Sequence, residues 1–339
     1  MRVAGQLEGG VGRTGIQGRL CSLLPLALAA GMTLASGSLF AASGELQLVA
    51  RGIAHDMLYG LSIEGQHGIT VGDAGLIMET ADGGASWTKQ AKGPTDLGLF
   101  GVVRKQGRCI AGGQSGLILV SSDCKQWAVS PPVSKARILS VNVNGNGTAY
   151  AVGGFGAVLK SADWGKTWEP VSIDWKGFTS EGAEPHLYDV QIAEDGEVTV
   201  VGEFELILRS KDGGAKWTAL HKGKRSLFNL KLLENGEAYA VGQEGLILKS
   251  TDRGATWAEQ ESGTKSILTG IWAQPGGQAV VSGIYTILYS ENGGKTWRQD
   301  ASKLARMGSY QAVAGVEKVK GQLSAVLVGS GGTILSVQR

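Results

Sequence analysis

The 339-residue sequence predicts an all-β protein, a seven-bladed β-propeller of four-stranded antiparallel blades. Three observations carry the prediction. A phrase ending in an anchoring glycine recurs at Gly72, Gly113, Gly153, Gly202, Gly242, Gly283 and Gly329, spaced by 41, 40, 49, 40, 41 and 46 residues. No segment has a helical period, and each repeat divides into four short apolar runs separated by turn residues. The last copy stops at "TILSVQR", one strand short. Four antiparallel strands in ~40 residues make one propeller blade, and radial repetition shields the sheet edges.

The chain opens with "RLCSLLPLALAAGMTLASGSLFAAS", which follows a basic lead-in and ends in small residues at Ala41 and Ala42. This reads as a secretory signal peptide over residues 1–41, cleaved at Ala41 or Ala42. The alternative is an uncleaved anchor, although the apolar run is short for a bilayer. No lipobox precedes Cys21. The expected product is an exported domain over residues 42–339, periplasmic or in an equivalent lumen, soluble or peripheral to a membrane. Removing residues 1–41 takes the formal charge from +2 to 0. No nucleic-acid partner is expected from such a balance. Cys109 and Cys124 then remain in one repeat, and a disulfide and two free thiols are both open.

The first mature segment, "GELQLVARG", has the pattern of the strand that follows each later repeat. Leu46–Ala50 is therefore expected to supply the missing outer strand of the last blade and close the ring. In the fifth copy the four strands are expected at 227–233, 238–242, 246–250 and 257–260. Between the third and fourth strands lies a box: "TADGGASW", "SADWGKTW", "SKDGGAKW", "STDRGATW", "SENGGKTW", and a shortened "SSDCKQW". Its hydroxyl and carboxylate can bond the turn's own backbone, its glycine takes positive φ, and its tryptophan packs against the neighbouring sheet. Such local work recurring around a ring is scaffold, because an active site is normally built once.

These boxes are identified as Asp-box, or bacterial neuraminidase repeat, motifs. With "AVGxxGxILxSxDGGxTW" repeated, the mature chain resembles the photosystem II stability and assembly factor family of exported seven-bladed propellers, including relatives in non-photosynthetic bacteria. The resemblance implies a non-enzymatic role: binding a partly assembled membrane protein through a basic patch on one propeller face.

In a propeller, inter-blade loops and the turns joining second to third strands emerge on one face, and the boxes on the other. The inter-blade loops carry Arg51, Lys135, Arg137, Lys222, Lys224, Arg225, Lys265, Lys303 and Arg306, so five of seven interfaces place a cation before the innermost strand. Thr95 and Asp96 occupy a sixth, and the insertion "DWKGFTSEGAEPHLYD" the seventh. Such a ring suits acidic or carboxylate-bearing protein partners. Glu203, Glu205 and Glu244 are expected to make part of this face acidic. The protein is expected to be a monomer without cofactor or metal, since His55, His67, His186 and His221 lack ligand spacing. The competing readings are a sialidase-like glycoside hydrolase and an envelope glycan-binding or transporter-accessory module. Against the hydrolase, the copies number seven, the Arg-Ile-Pro signature is absent, and Tyr59, Tyr188 and Tyr310 fall at equivalent blade positions as packing residues.

Overall fold

The computed structural model describes residues 46–91, 93–316 and 324–338; the expected signal peptide lies outside them. The described residues form seven four-stranded antiparallel sheets, each in simple sequential order except the last. The inner strands of blades one to seven are Leu58–Glu64, Leu99–Lys105, Ile138–Val143, Leu187–Ile192, Leu227–Leu232, Leu268–Ala273 and Tyr310–Gly315. In the last sheet Leu46–Ala50 pairs antiparallel with Thr333–Gln338, Leu46 opposite Val337 and Leu48 opposite Leu335. The two ends of the ring are thus held by one ladder.

Blade five runs Leu227–Leu232, Ala238–Gly242, Ile247–Ser250 and Ala258–Gln260, one residue inside the expected bounds at several ends. The ends are trimmed because Leu233 N donates to Glu237 O, and Leu246 N to Gln243 O, in turns. One α-helix occurs among the described residues, α1 (Lys303–Met307), where no helical period was expected. It is barely more than one turn, too short to show a period, and Ser302 Oγ caps it by accepting from Ala305 N at 3.2 Å.

Hydrophobic contact is made between blades. The second strand of each blade is almost wholly buried, the third largely so, and they pack on the next blade: Val280, Ile287 and Tyr289 of blade six meet Leu327, Leu335 and Leu46 of blade seven. Blade three packs on blade four through Tyr150, Val152, Val200 and Leu208. Each such side chain contributes roughly 1.5–3 kcal/mol on burial, so stability is spread around the ring instead of gathered in one centre.

The five full-length boxes share one backbone geometry, a hydroxyl accepting from the amide of the fifth residue. In blade three, Ser161 Oγ donates to Asp163 Oδ1 at 2.8 Å and accepts from Gly165 N at 2.9 Å. Asp163 then accepts from Thr167 N and Oγ1 at 2.9 and 2.7 Å, and Trp168 Nε1 donates to Gly165 O at 2.8 Å. The same tryptophan-to-glycine bond forms at Trp87, Trp217 and Trp257. These bonds hold the Asp82 and Asp252 carboxyls down to about 2, the hydroxyls of Ser86 and Thr256 acting most strongly. At Asp82, Asp163 and Asp252 both carboxylate oxygens are spent inside the turn, and at Asp212 the bonds fall on Oδ1.

The shortened box departs in a way its sequence explains. With one residue fewer, Trp127 Nε1 turns to Gln90 Oε1 of the preceding blade at 3.2 Å. Cys124 takes the left-handed place filled by Gly83 in the first box, at φ 61°, and is disulfide-bonded to Cys109 across a Cα–Cα distance of 5.1 Å.

Candidate partner-binding face

The anchoring glycine defines this face. At each of the seven, an added Cβ would fall 1.8–2.5 Å from the carbonyl oxygen of the residue just before the same blade's inner strand. The glycine of blade three meets Arg137 O in this way, at 1.8 Å. The reason is close approach of two backbones, since these glycines are extended, Gly72 having φ −162°. The next residue's amide uses the same carbonyl: Asp73 N to Met57 O at 3.0 Å, Gly154 N to Arg137 O at 3.0 Å, Ser330 N to Ser309 O at 2.9 Å. Each inter-blade loop is therefore tied to a second-to-third-strand turn, and the two sets of loops form one surface.

Of the nine cations expected there, Arg51, Lys135, Arg137, Lys265, Lys303 and Arg306 are exposed, as is Lys224. None of these seven forms a salt bridge among the described residues. Two others are spent internally. Arg225 donates to Glu205 Oε1 at 2.9 Å and makes a two-pronged pair with Glu259 at 3.0 and 2.7 Å. Lys222 Nζ donates to Gly177 O at 3.2 Å and lies over the Phe178 ring, pinning the long insertion.

The expected acidic sector is smaller than the sequence suggested. Glu205 is buried, with His221 Nε2 at 3.0 Å and the amides of Lys224 and Arg225 also on its carboxylate. Burial pushes its carboxyl up, yet the Arg225 and His221 bonds outweigh this and bring it down to about 2. It is a neutralised structural ion. Glu203 accepts from His186 N at 2.8 Å, which leaves Glu244 as the exposed member of the three.

Two features escaped sequence reasoning. Every inner strand carries a β-bulge after its first residue, as between Leu58 and Gly60 or Leu187 and Asp189. A bulge re-aims the extra side chain, here Tyr59, Phe100, Leu139, Tyr188, Phe228, Thr269 and Gln311. Tyr59 meets Phe100 edge-on at 5.3 Å, and Tyr188 meets Phe228 at 4.8 Å. These rings line a central cavity of about 720 Å³ together with Arg137, Asp189 and Lys231. Tyr310 is not equivalent to Tyr59 and Tyr188: it stands one residue earlier, where the other blades have Leu or Ile, and is buried. Its hydroxyl donates to Leu304 O at 2.8 Å, and burial pushes its phenol up to about 12.

The second feature is a set of aromatics in strained backbone. Phe155, Phe204 and Tyr285 stand in second-to-third-strand turns at φ 54°, 60° and 57°, with exposures of 70%, 42% and 60%. A left-handed backbone costs a residue with a Cβ about 1–2 kcal/mol; Phe155 meets the His186 ring edge-on at 5.0 Å, yet rings this exposed recover only part of that. The signal was in "GFG", "EFE" and "IYT", where a turn residue belongs.

Asp189 is the one strongly perturbed carboxyl in the central cavity, pushed up to about 6 by burial against four donors. Those donors are Ser140 Oγ at 2.7 Å, Val190 N at 2.9 Å, Asn229 Nδ2 at 2.8 Å and Leu230 N at 3.0 Å. Asn229 Oδ1 in turn accepts from Ile271 N at 2.9 Å. The network stitches blades three to six together, and its carboxylate has no free edge for general acid–base work. Among the described residues no cluster of three His, Cys, Asp or Glu could hold a metal ion, and no helix is long and apolar enough to cross a membrane.

Comparison with known proteins agrees with this architecture. Residues 169–266 match the family described as "Photosynthesis system II assembly factor YCF48". Over 122 residues the chain is 26% identical to the photosystem II assembly lipoprotein Ycf48 of Synechococcus sp. (strain CC9902), and the match spans 35% of each chain. YCF48 bound to D1 peptide superposes with a TM-score of 0.68 at 19% identity, covering 88% of this chain and 96% of that one. YCF48 from Cyanidioschyzon merolae gives 0.66 at 18%, covering 86% and 98%. The WD40 propeller domain of Doa1 gives 0.64 at 13%, covering 87% and 97%, so the ring is shared well beyond one role. The chain is thus similar to the photosystem II assembly factor-like family of seven-bladed propellers, by sequence over residues 169–266 and by fold around nearly the whole ring.

Proposed function

We propose that the protein is an exported, non-enzymatic propeller that binds a protein partner through its inter-blade face and assists assembly of a membrane protein complex. The carrying observation is the pairing, on one surface, of seven exposed cations free of salt bridges with three exposed aromatics held in strained backbone. Cations without carboxylate partners steer and orient an acidic surface. Aromatic side chains are the usual anchors at the centre of such contacts. Phe155 meets only the edge of His186 at 5.0 Å, and strain that packing repays so little is retained where contact with another molecule repays it. Similarity to Ycf48, one relative of which is described as bound to D1 peptide, supports a polypeptide partner.

A hydrolase reading fares worse on this geometry. Burial and the Asp73 carboxylate raise the Tyr59 phenol, and burial and Glu203 raise that of Tyr188, the reverse of an activated nucleophile. The test of the binding reading is affinity capture from detergent-solubilised membranes of the native host. An Arg51→Glu/Arg137→Glu/Arg306→Glu variant, which spares the structural Arg225, is expected to lose a membrane protein that the unaltered chain retains. Raising salt is expected to weaken the same capture. Equal capture by both forms would contradict the reading.

A further inference from the structure

At the seam where the ring closes, a second cavity of about 680 Å³ opens on the inter-blade face, between the chain leading into blade one, helix α1 and the last turn of blade seven. Its size is within the range of ligand pockets, about 300–1,000 Å³. Leu304 and the ring of Tyr310 line it, while Ile53 and Met307 flank it at 67% and 66% exposure. Ile53 and Met307 are thus two exposed apolar side chains brought together at the mouth of one cavity.

The walls are fixed before any ligand arrives. Gly52 N donates to Gly331 O at 2.9 Å, Gly332 N to Asp56 O at 3.0 Å, and Ile53 N to Asp56 Oδ2 at 3.1 Å. Tyr310 Oη spends its proton on Leu304 O. These groups of the wall are engaged, and beside them the cavity offers positive charge. Arg51 and Lys303 both line the cavity, Arg306 is exposed on the same helical turn, and none forms a salt bridge among the described residues. Asp56 is the local acid, with one oxygen already on the Ile53 amide.

We propose that this seam cavity binds a bulky apolar side chain flanked by a carboxylate, presented by an extended acidic segment of the partner polypeptide. The apolar floor and Met307 take the side chain, and Arg51 and Lys303 take the carboxylate. The adaptable thioether of Met307 lets one pocket fit leucine or phenylalanine. The assignment rests on the partner-binding reading and adds to it one pocket and the residue pair that fills it. It is the one inter-blade connection among the described residues that carries an α-helix, the insertion between blades three and four forming two 3-10 turns at Trp175–Gly177 and Ser180–Gly182, so the seam differs from every other interface and can orient the partner.

The experiment is a methyl NMR titration of protein labelled at methionine and isoleucine, with a blocked tetrapeptide of glycine, aspartate, leucine and glycine. Saturable shifts are expected at Met307 and Ile53. Glycine in place of leucine should weaken binding about tenfold, and asparagine in place of aspartate about threefold. Arg51→Gln, which leaves the apolar wall intact, should match the loss from the asparagine peptide, and Met307→Glu should abolish binding without lowering Tm. Absence of saturable shifts at Met307 and Ile53, or shifts unaltered by Met307→Glu, overturns the assignment. Partner capture separates the two readings. If Arg137→Glu loses the partner and Met307→Glu keeps it, the pocket falls and the face stands; if both keep it, both fall. Loss in either case with Met307→Glu supports the pocket.

Discussion

The two faces of this ring are made from the same repeats and follow opposite rules. On the box face, the five full-length turns repeat one hydroxyl-to-glycine-amide bond, and blade differences are absorbed locally, as where Trp127 turns to Gln90. On the inter-blade face, the backbone scheme repeats while the side chains do not: the equivalent left-handed turn position holds Ala74, Ser115, Phe155, Phe204, Glu244 and Tyr285. Where local stability is the task, residue choice converges. Where it diverges while the turn keeps the same left-handed backbone, local stability does not set the side chain, which is the pattern the proposed partner-binding role expects.

That contrast can be broken by substitution, and the largest effects belong to the box face. Trp168→Ala removes a buried indole and its bond to Gly165 O, and should lower unfolding free energy by about 3–5 kcal/mol in urea titration, with partner capture at low temperature unchanged. A loss of capture at matched folded fraction would place function on the wrong face. Next comes the bond between Cys109 and Cys124, which closes a loop with a sequence separation of 15. Changing both to Ser should cost about 3 kcal/mol, read as a lower urea midpoint, and reduction of the unaltered protein should reproduce it. The smallest effect sharpens the comparison by its sign. Phe155→Asn puts a side chain that tolerates positive φ at a strained, exposed position and should raise stability by about 0.5 kcal/mol while weakening capture. A destabilised Phe155→Asn would show that the ring packs for the fold after all.

The fold was legible because its determinants are backbone requirements imposed seven times. The anchoring glycines are written into the sequence by the carbonyl that would strike any Cβ, and ring closure by the match of Leu46–Ala50 to a missing strand. The location of the cations was legible for the same reason, since a repeat fixes which loops share a face. Their availability was not. Arg225 reads as one more loop arginine until Glu205 and Glu259 are found beside it, contacts set by the pairing of neighbouring strands and by a buried turn. Glu205 likewise reads as surface acid until its turn is seen folded under the next loop. The bulge that turns Tyr59 and Phe100 into the central cavity leaves no mark in residue type, because Leu139, Thr269 and Gln311 occupy it equally well.

The division of labour between faces is tested most directly by charge reversal matched in number and opposite in place. Partner capture would be measured for Arg51→Glu/Arg137→Glu/Arg306→Glu beside Lys166→Glu/Lys216→Glu/Lys295→Glu, three exposed lysines of the box turns. The prediction is that the first variant loses the membrane partner and the second holds it as the unaltered chain does. Equal loss in both would reduce the face to net charge alone, and loss confined to the box variant would contradict the account outright.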